Sequence, residues 1–207
     1  MTKTFDILAS KEVIEQTEKA LTEKGFLPIF AETGAEALEK IKELVPAGVS
    51  VMNGSSRTLE QIGFIDYLKG GTHGWNNLHQ NILEEKDPLK QAVLRKHSVL
   101  SDYFINSAHA VTEAGELVIA SASGSQLPHL TFTSGNIILI IGVQKITATL
   151  DEALTRLSEY VFPLENARMK EVGMGGSNLS KILILKNEPA FMGRKVHIIL
   201  VNEKLGF

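Results

Sequence analysis

Ile137-Ile138-Leu139-Ile140-Ile141 is the stretch on which the reading of the fold turns. A run of consecutive apolar, mostly β-branched residues cannot alternate between a dry face and a wet one. It fits a strand covered on both faces, as in a parallel sheet flanked by helices. With Gly142 and Val143 the run is still far shorter than the ~20 residues needed to span a bilayer.

On either side, helical periodicity alternates with short apolar runs. Ser10 is placed to cap a helix reaching Lys24, with Val13, Ile14, Thr17, Ala20 and Leu21 as one stripe. Phe26–Phe30 reads as a strand. Thr33-Gly34-Ala35-Glu36 is a capping box that opens a helix with Ala35, Leu38, Ile41, Leu44 and Val45 on one face. Val49–Met52 is a further buried run, and Thr149-Leu150-Asp151-Glu152 caps a helix ending near Phe162. Strands alternating with helices imply βα crossovers and a mostly parallel sheet. Between them, Tyr103–Asn106, Ala110–Thr112 and Leu117–Ala120 read as strands, the last two joined by a tight turn at Glu113–Glu116. Lys69–Asn77 (KGGTHGWNN) is rich in Gly and Asn, and residues 69–86 read as a loop or lid insertion. At the C-terminal end, Ile182–Leu185 and Val196–Val201 read as an antiparallel pair at a sheet edge. The expectation is a single α/β domain over residues 1–207.

Composition narrows the chemistry. The 207 residues are 43% hydrophobic and 22% charged, with a net charge of −3 and no Cys. That excludes a disulfide framework, a thiolate nucleophile and Cys-ligated zinc or iron–sulfur centres within this chain. A mildly acidic chain without a basic run is not expected to bind nucleic acid. Met1–Ser10 lacks an export signal pattern. The chain is therefore expected to be cytoplasmic and not membrane-bound.

Three loops qualify as ligand sites by position, because ligands of open α/β sheets sit beyond the carboxyl ends of the strands. The first holds Asn53, Gly54, Ser55, Ser56, Arg57 and Thr58; it is equally a plain helix start. The second, Ser121–Gln126, places Gly124, Ser125 and Gln126 where a carboxylate or phosphate cradle, or an ordinary turn, would fit. The third ends the isoleucine strand with Gln144 and Lys145, the lysine being either an anion partner or a solvated side chain. Glu113 and His109 are the candidate acid–base groups, unless they are a solvated turn acid and a hydrogen-bonded core histidine. His73 and His79 flank Trp75, but their spacing matches no catalytic metal motif, so neither a metal nor a cofactor is expected. Gly173–Asn178 is glycine-rich yet precedes a strand, and so is no dinucleotide fingerprint.

Seven motifs occur in order: Asn53-Gly54-Ser55-Ser56-x-Thr58; Ser101-Asp102-Tyr103-Phe104; Val111-Thr112-Glu113-x-Gly115-Glu116-Leu117; Ser123-Gly124-Ser125-Gln126-Leu127-Pro128; Gly142-x-Gln144-Lys145-Ile146; Pro163-Leu164-Glu165-x-x-Arg168; and Gly176-Ser177-Asn178-x-x-Lys181. Together they resemble the LUD-domain family of lactate-utilisation proteins, from about Ser10 to the end. The resemblance implies a Rossmann-like sheet of the NagB, ribose-5-phosphate isomerase and CoA-transferase kind. It implies a small anionic metabolite as ligand, and iron–sulfur oxidoreductase subunits as partners in L-lactate oxidation. It equally leaves open a phosphosugar isomerase or CoA-ester enzyme. Residues 106–126 also resemble the sugar-phosphate site of methylthioribose-1-phosphate isomerase, except that His109 stands at the position of its acid. A homo-oligomer pairing through Ile198–Leu200, as an edge strand, is a further expectation.

Overall fold

The structure, a computed structural model, describes residues 4–207. Met1, Thr2 and Lys3, the start of the segment read for an export signal, lie outside the described residues. Ser10 caps α1 (Lys11–Glu23), its Oγ accepting from the Val13 N–H at 3.4 Å. After β1 (Leu27–Ala31), Thr33 Oγ1 accepts from the Glu36 N–H at 3.2 Å and opens α2 (Gly34–Leu44). Glu36 reaches back to the Glu32 N–H at 2.9 Å, one residue before the cap. The helix buries Gly34, Ala37 and Ile41, whereas Ala35 is exposed, because the buried stripe is one position offset from the one the sequence suggests.

The chain continues through β2 (Ser50–Asn53), α3 (Arg57–Gln61), α4 (Phe64–Lys69), β3 (Asn76–Asn77), α5 (Leu78–Glu84) and α6 (Pro88–His97). Next come β4 (Tyr103–Asn106), β5 (Ala110–Thr112), β6 (Leu117–Ser121), β7 (Asn136–Gly142), β8 (Ile146–Thr147), α7 (Leu150–Arg156), α8 (Phe162–Glu171), β9 (Lys181–Leu185) and β10 (Lys195–Val201). A six-stranded, wholly parallel sheet has the order β1-β10-β7-β4-β2-β3, and a mixed four-stranded sheet the order β8-β5-β6-β9.

The isoleucine run is β7, and its residues divide between two cores. Ile137, Leu139 and Ile141 face α1 and the second sheet, packing with Leu21, Leu117 and Ile119. Ile138 and Ile140 face the opposite side, with Ala37, Ile41, Leu59 and Phe64. Val196, Ile198 and Leu200 of β10 alternate with Ile199 and Val201 in the same way. Each such side chain contributes about 1.5–3 kcal/mol by leaving water. The far face of the second sheet, Ala110 and Val118, packs on Ala153, Leu157 and Val161. The result is an α/β, Rossmann-like architecture. Among the described residues no helix is long and apolar enough to cross a membrane.

Four expectations are corrected. Ile182–Leu185 and Val196–Val201 do not pair: β9 is antiparallel to β6, and β10 lies between β1 and β7, parallel to both. A strand hydrogen-bonded to a neighbour on each side has no free edge, so Ile198–Leu200 cannot join another copy by edge pairing. Residues 69–86 are a loop only over 70–75, after α4 ends at Lys69. Trp75 is only 7% exposed, its Nε1 donates to the Val45 carbonyl at 3.1 Å, and its ring stacks on Phe64 and His73. The residues after it form β3, at the sheet edge, and α5. Finally, the helix opened by Thr149 does not stop near Phe162; it passes through a π-turn at Leu157–Val161 into α8.

Candidate functional site

β2 and β4 are neighbours in the sheet, yet the chain leaves them in opposite directions. After β2 it runs to β3 at one edge, and after β4 it runs towards β7. A crevice opens at such a switch point, beyond the carboxyl ends of the strands. The loops after β2, β4 and β7 meet there. Gly54 makes the approach of the first two possible: its N–H donates to the Ile105 carbonyl at 3.2 Å, and a Cβ would stand 2.5 Å from Asn106 Nδ2.

The crevice holds an open pocket lined by Ser55, Ser56, Thr58, Ser107, His109 and Lys145, with Glu165 and Arg168 of α8 also on its wall. A second pocket adjoins it. Asn53, Gly54, Ser125 and His79 line that pocket together with apolar Met52, Ile82 and Phe104. Ser55 and Gln126 border both.

Lys145 forms the floor. It is 3% exposed, and its Nζ donates to Thr58 Oγ1 at 3.0 Å, Ser107 Oγ at 3.1 Å and the Ala108 carbonyl at 3.3 Å. Behind it, Arg156 is fully buried and donates to the His109 carbonyl at 2.6 Å and that of Phe5 at 3.5 Å, while its Nε has no partner. Among the described residues no carboxylate lies within ion-pair distance of Lys145 or Arg156. Burial, and then the Arg156 charge, push Lys145 down to about 7. Burial also lowers Arg156, to about 10. His109 is held at about 3 by burial and by the positive charges of Lys145 and Arg156, and is therefore neutral. Its Nδ1 accepts from the Ala120 N–H at 3.1 Å, which leaves the ring proton on Nε2. Neutral and a donor at Nε2, His109 can donate a hydrogen bond to a ligand, but it is not poised as a base.

The expected site residues divide. Ser55, Ser56, Thr58, Gln126, His109 and Lys145 share the first pocket, and Asn53, Gly54 and Ser125 the second. Several are spent on structure. Ser56 Oγ caps α3 through the Leu59 N–H, and Gln126 is held between Asn106 Nδ2 and the Ala120 carbonyl. The loop read as a cradle satisfies itself: the Gly124 N–H donates to Ser121 Oγ, and the Ser125 N–H to Ser123 Oγ. Gly124 lines neither pocket of the crevice, nor does Gln144, whose Nε2 donates to the Leu205 carbonyl at 2.8 Å and ties down the tail. Glu113 lies elsewhere. It follows β5, four residues beyond His109 and thus roughly 13 Å along an extended chain. Its turn packs on α1, where a Cβ on Gly115 would meet the Ala20 backbone at 2.9 Å.

Three residues that line the first pocket escaped the sequence reading as site residues, Ser107, Glu165 and Arg168, as did Arg156, which lies behind Lys145 without lining the pocket. Glu165 and Arg168 form a two-point pair across one helical turn, at 2.8 and 2.9 Å, and these hydrogen bonds raise Arg168 above the usual guanidinium value. The motif Pro163-Leu164-Glu165-x-x-Arg168 was their signal. By contrast Ser101-Asp102 is architectural: the Asp102 carboxylate accepts from the Ser50 N–H and hydroxyl at 2.8 and 2.6 Å, at the start of β2. His73 accepts from the Trp75 N–H, and no group of three potential metal ligands occurs among the described residues.

A family model described as "LUD domain" matches residues 14–201. Among solved structures, a DUF162 family protein from Deinococcus radiodurans, determined at 1.70 Å resolution, is similar with a TM-score of 0.55. The likeness covers 95% of this chain and 100% of that one, at 13% identity, and is a likeness of fold. No curated protein matches the chain.

Proposed function

The chain belongs to the LUD-domain family, and from that membership and the crevice we propose that it binds a small anionic metabolite at the switch point between β2 and β4. One observation carries the reading. A buried lysine forms the crevice floor with a buried arginine behind it, and among the described residues no carboxylate lies within ion-pair distance of either. Burying unpaired charge is costly, and an anionic ligand supplies the missing partner. Ser55 borders the space next to that floor. The family's link to lactate utilisation makes 2-hydroxy and 2-oxo acids the first ligands to try.

The test is a thermal-shift screen with lactate, pyruvate, sugar phosphates and CoA thioesters. A true ligand at a hundred times its Kd should stabilise the protein by about 2.7 kcal/mol. Lys145→Met should abolish that gain. If no anion raises the melting temperature, or if the variant responds as the parent does, the site is misassigned.

A further inference from the structure

Lys145 has the surroundings of a nucleophile as well as those of a counter-ion. We propose that the Lys145 amine forms a covalent imine with a small carbonyl compound that carries an anionic group, a 2-oxo acid being the simplest. The proposal rests on the anion-binding reading above, because the anionic group is what holds the carbonyl carbon against the amine.

Three features of the geometry support it. Lys145 is buried yet lines a pocket open to small molecules. Two hydroxyls, Thr58 Oγ1 and Ser107 Oγ, lie at 3.0 and 3.1 Å from Nζ and can relay the protons that imine formation moves. His109 lines the same pocket with its proton on Nε2, a neutral donor suited to a carbonyl oxygen. The depressed proton affinity of Lys145 agrees with this arrangement: a free amine is populated near neutrality, where an exposed lysine is almost wholly protonated.

The step balances without a further reagent. The Nζ lone pair attacks the carbonyl carbon, a C–N bond forms, and the carbonyl oxygen takes a proton to give a carbinolamine. That hydroxyl then leaves as water while nitrogen loses its remaining proton and C=N forms. No oxidant or reductant takes part. Amine and carbonyl compound become imine and water.

Borohydride trapping tests this on the whole protein. Incubation with pyruvate and cyanoborohydride near neutral pH should add the mass of pyruvic acid less one oxygen. Peptide mapping of the parent protein should place the adduct on Lys145, at a rate at least about tenfold above that of exposed lysines. Lys145→Arg, which keeps the charge and lacks a nucleophilic amine, should lose the adduct while still melting cooperatively. Adducts scattered over exposed lysines would overturn the proposal. So would the absence of any adduct under conditions where pyruvate raises the melting temperature, and that outcome would leave the binding reading standing. If pyruvate and the other acids neither bind nor trap, both readings fall.

Discussion

Lys145 Nζ lies 3.0 Å from Thr58 Oγ1, although 87 residues separate the two in the chain. The contact ties the segment after β7 to the first turn of α3, and Ser107 ties in the loop after β4. Three strand ends are thereby held around one amine.

Removing that acceptor should be felt in stability. Thr58→Val keeps the shape but leaves a buried, partly charged donor one partner short. A loss of about 1.5–3 kcal/mol is expected in denaturant titration, with a much smaller loss for Thr58→Ser. Equal stabilities for the two variants would mean that the hydroxyl contributes nothing.

The pH dependence has a definite sign. Lys145 is lowered to about 7 in the folded chain from an ordinary 10.5. Between those values the unfolded state binds more protons than the folded one, so the lysine's contribution makes stability rise with pH, by at most about 1.4 kcal/mol per unit. Below about pH 7 both states are protonated and the full burial penalty applies. Lys145→Met should therefore gain on the parent most in acid, and the advantage should shrink as pH rises above about 7. A constant difference across that window would show that Lys145 titrates normally.

Gly54 is required by space. With a Cβ 2.5 Å from Asn106 Nδ2, Gly54→Ala must displace the Asn106–Gln126 bond. A cost of about 1–3 kcal/mol is expected from overpacking. The cost should be smaller in an Asn106→Ala background, because contacting sites are not additive. A double-mutant cycle by thermal melting measures this, and strict additivity would remove the argument.

Trp75 anchors the segment around it. Trp75→Ala should cost about 3–5 kcal/mol, as truncation of a buried aromatic does. Thr72→Ala, three residues earlier and exposed, should change stability by less than about 0.5 kcal/mol. A small loss for Trp75→Ala together with altered ligand affinity would restore the lid reading.

The local elements were legible because their causes are local. Ser10, Thr33 and Thr149 each cap the helix that their position suggests. The hairpin at Glu113–Glu116 follows from a glycine with positive φ at Gly115. Gly and Asn around Trp75 misled, since composition does not reveal that one aromatic anchors the whole stretch. In the same way Val196–Val201 reads as a strand, but nothing local says whether it lies at an edge or in the middle.

The sequence alone therefore determined the architecture: a run of isoleucines that only a two-faced core can bury, and helices spaced for crossovers. Their period and capping are properties of neighbouring residues. Tertiary structure decided the site. Lys145 is an ordinary lysine until β7 brings it beneath Thr58 and Ser107, and Glu113, read as a candidate acid or base, is carried to the other end of β5. Burial and the neighbouring Arg156, not residue type, give the lysine its chemistry.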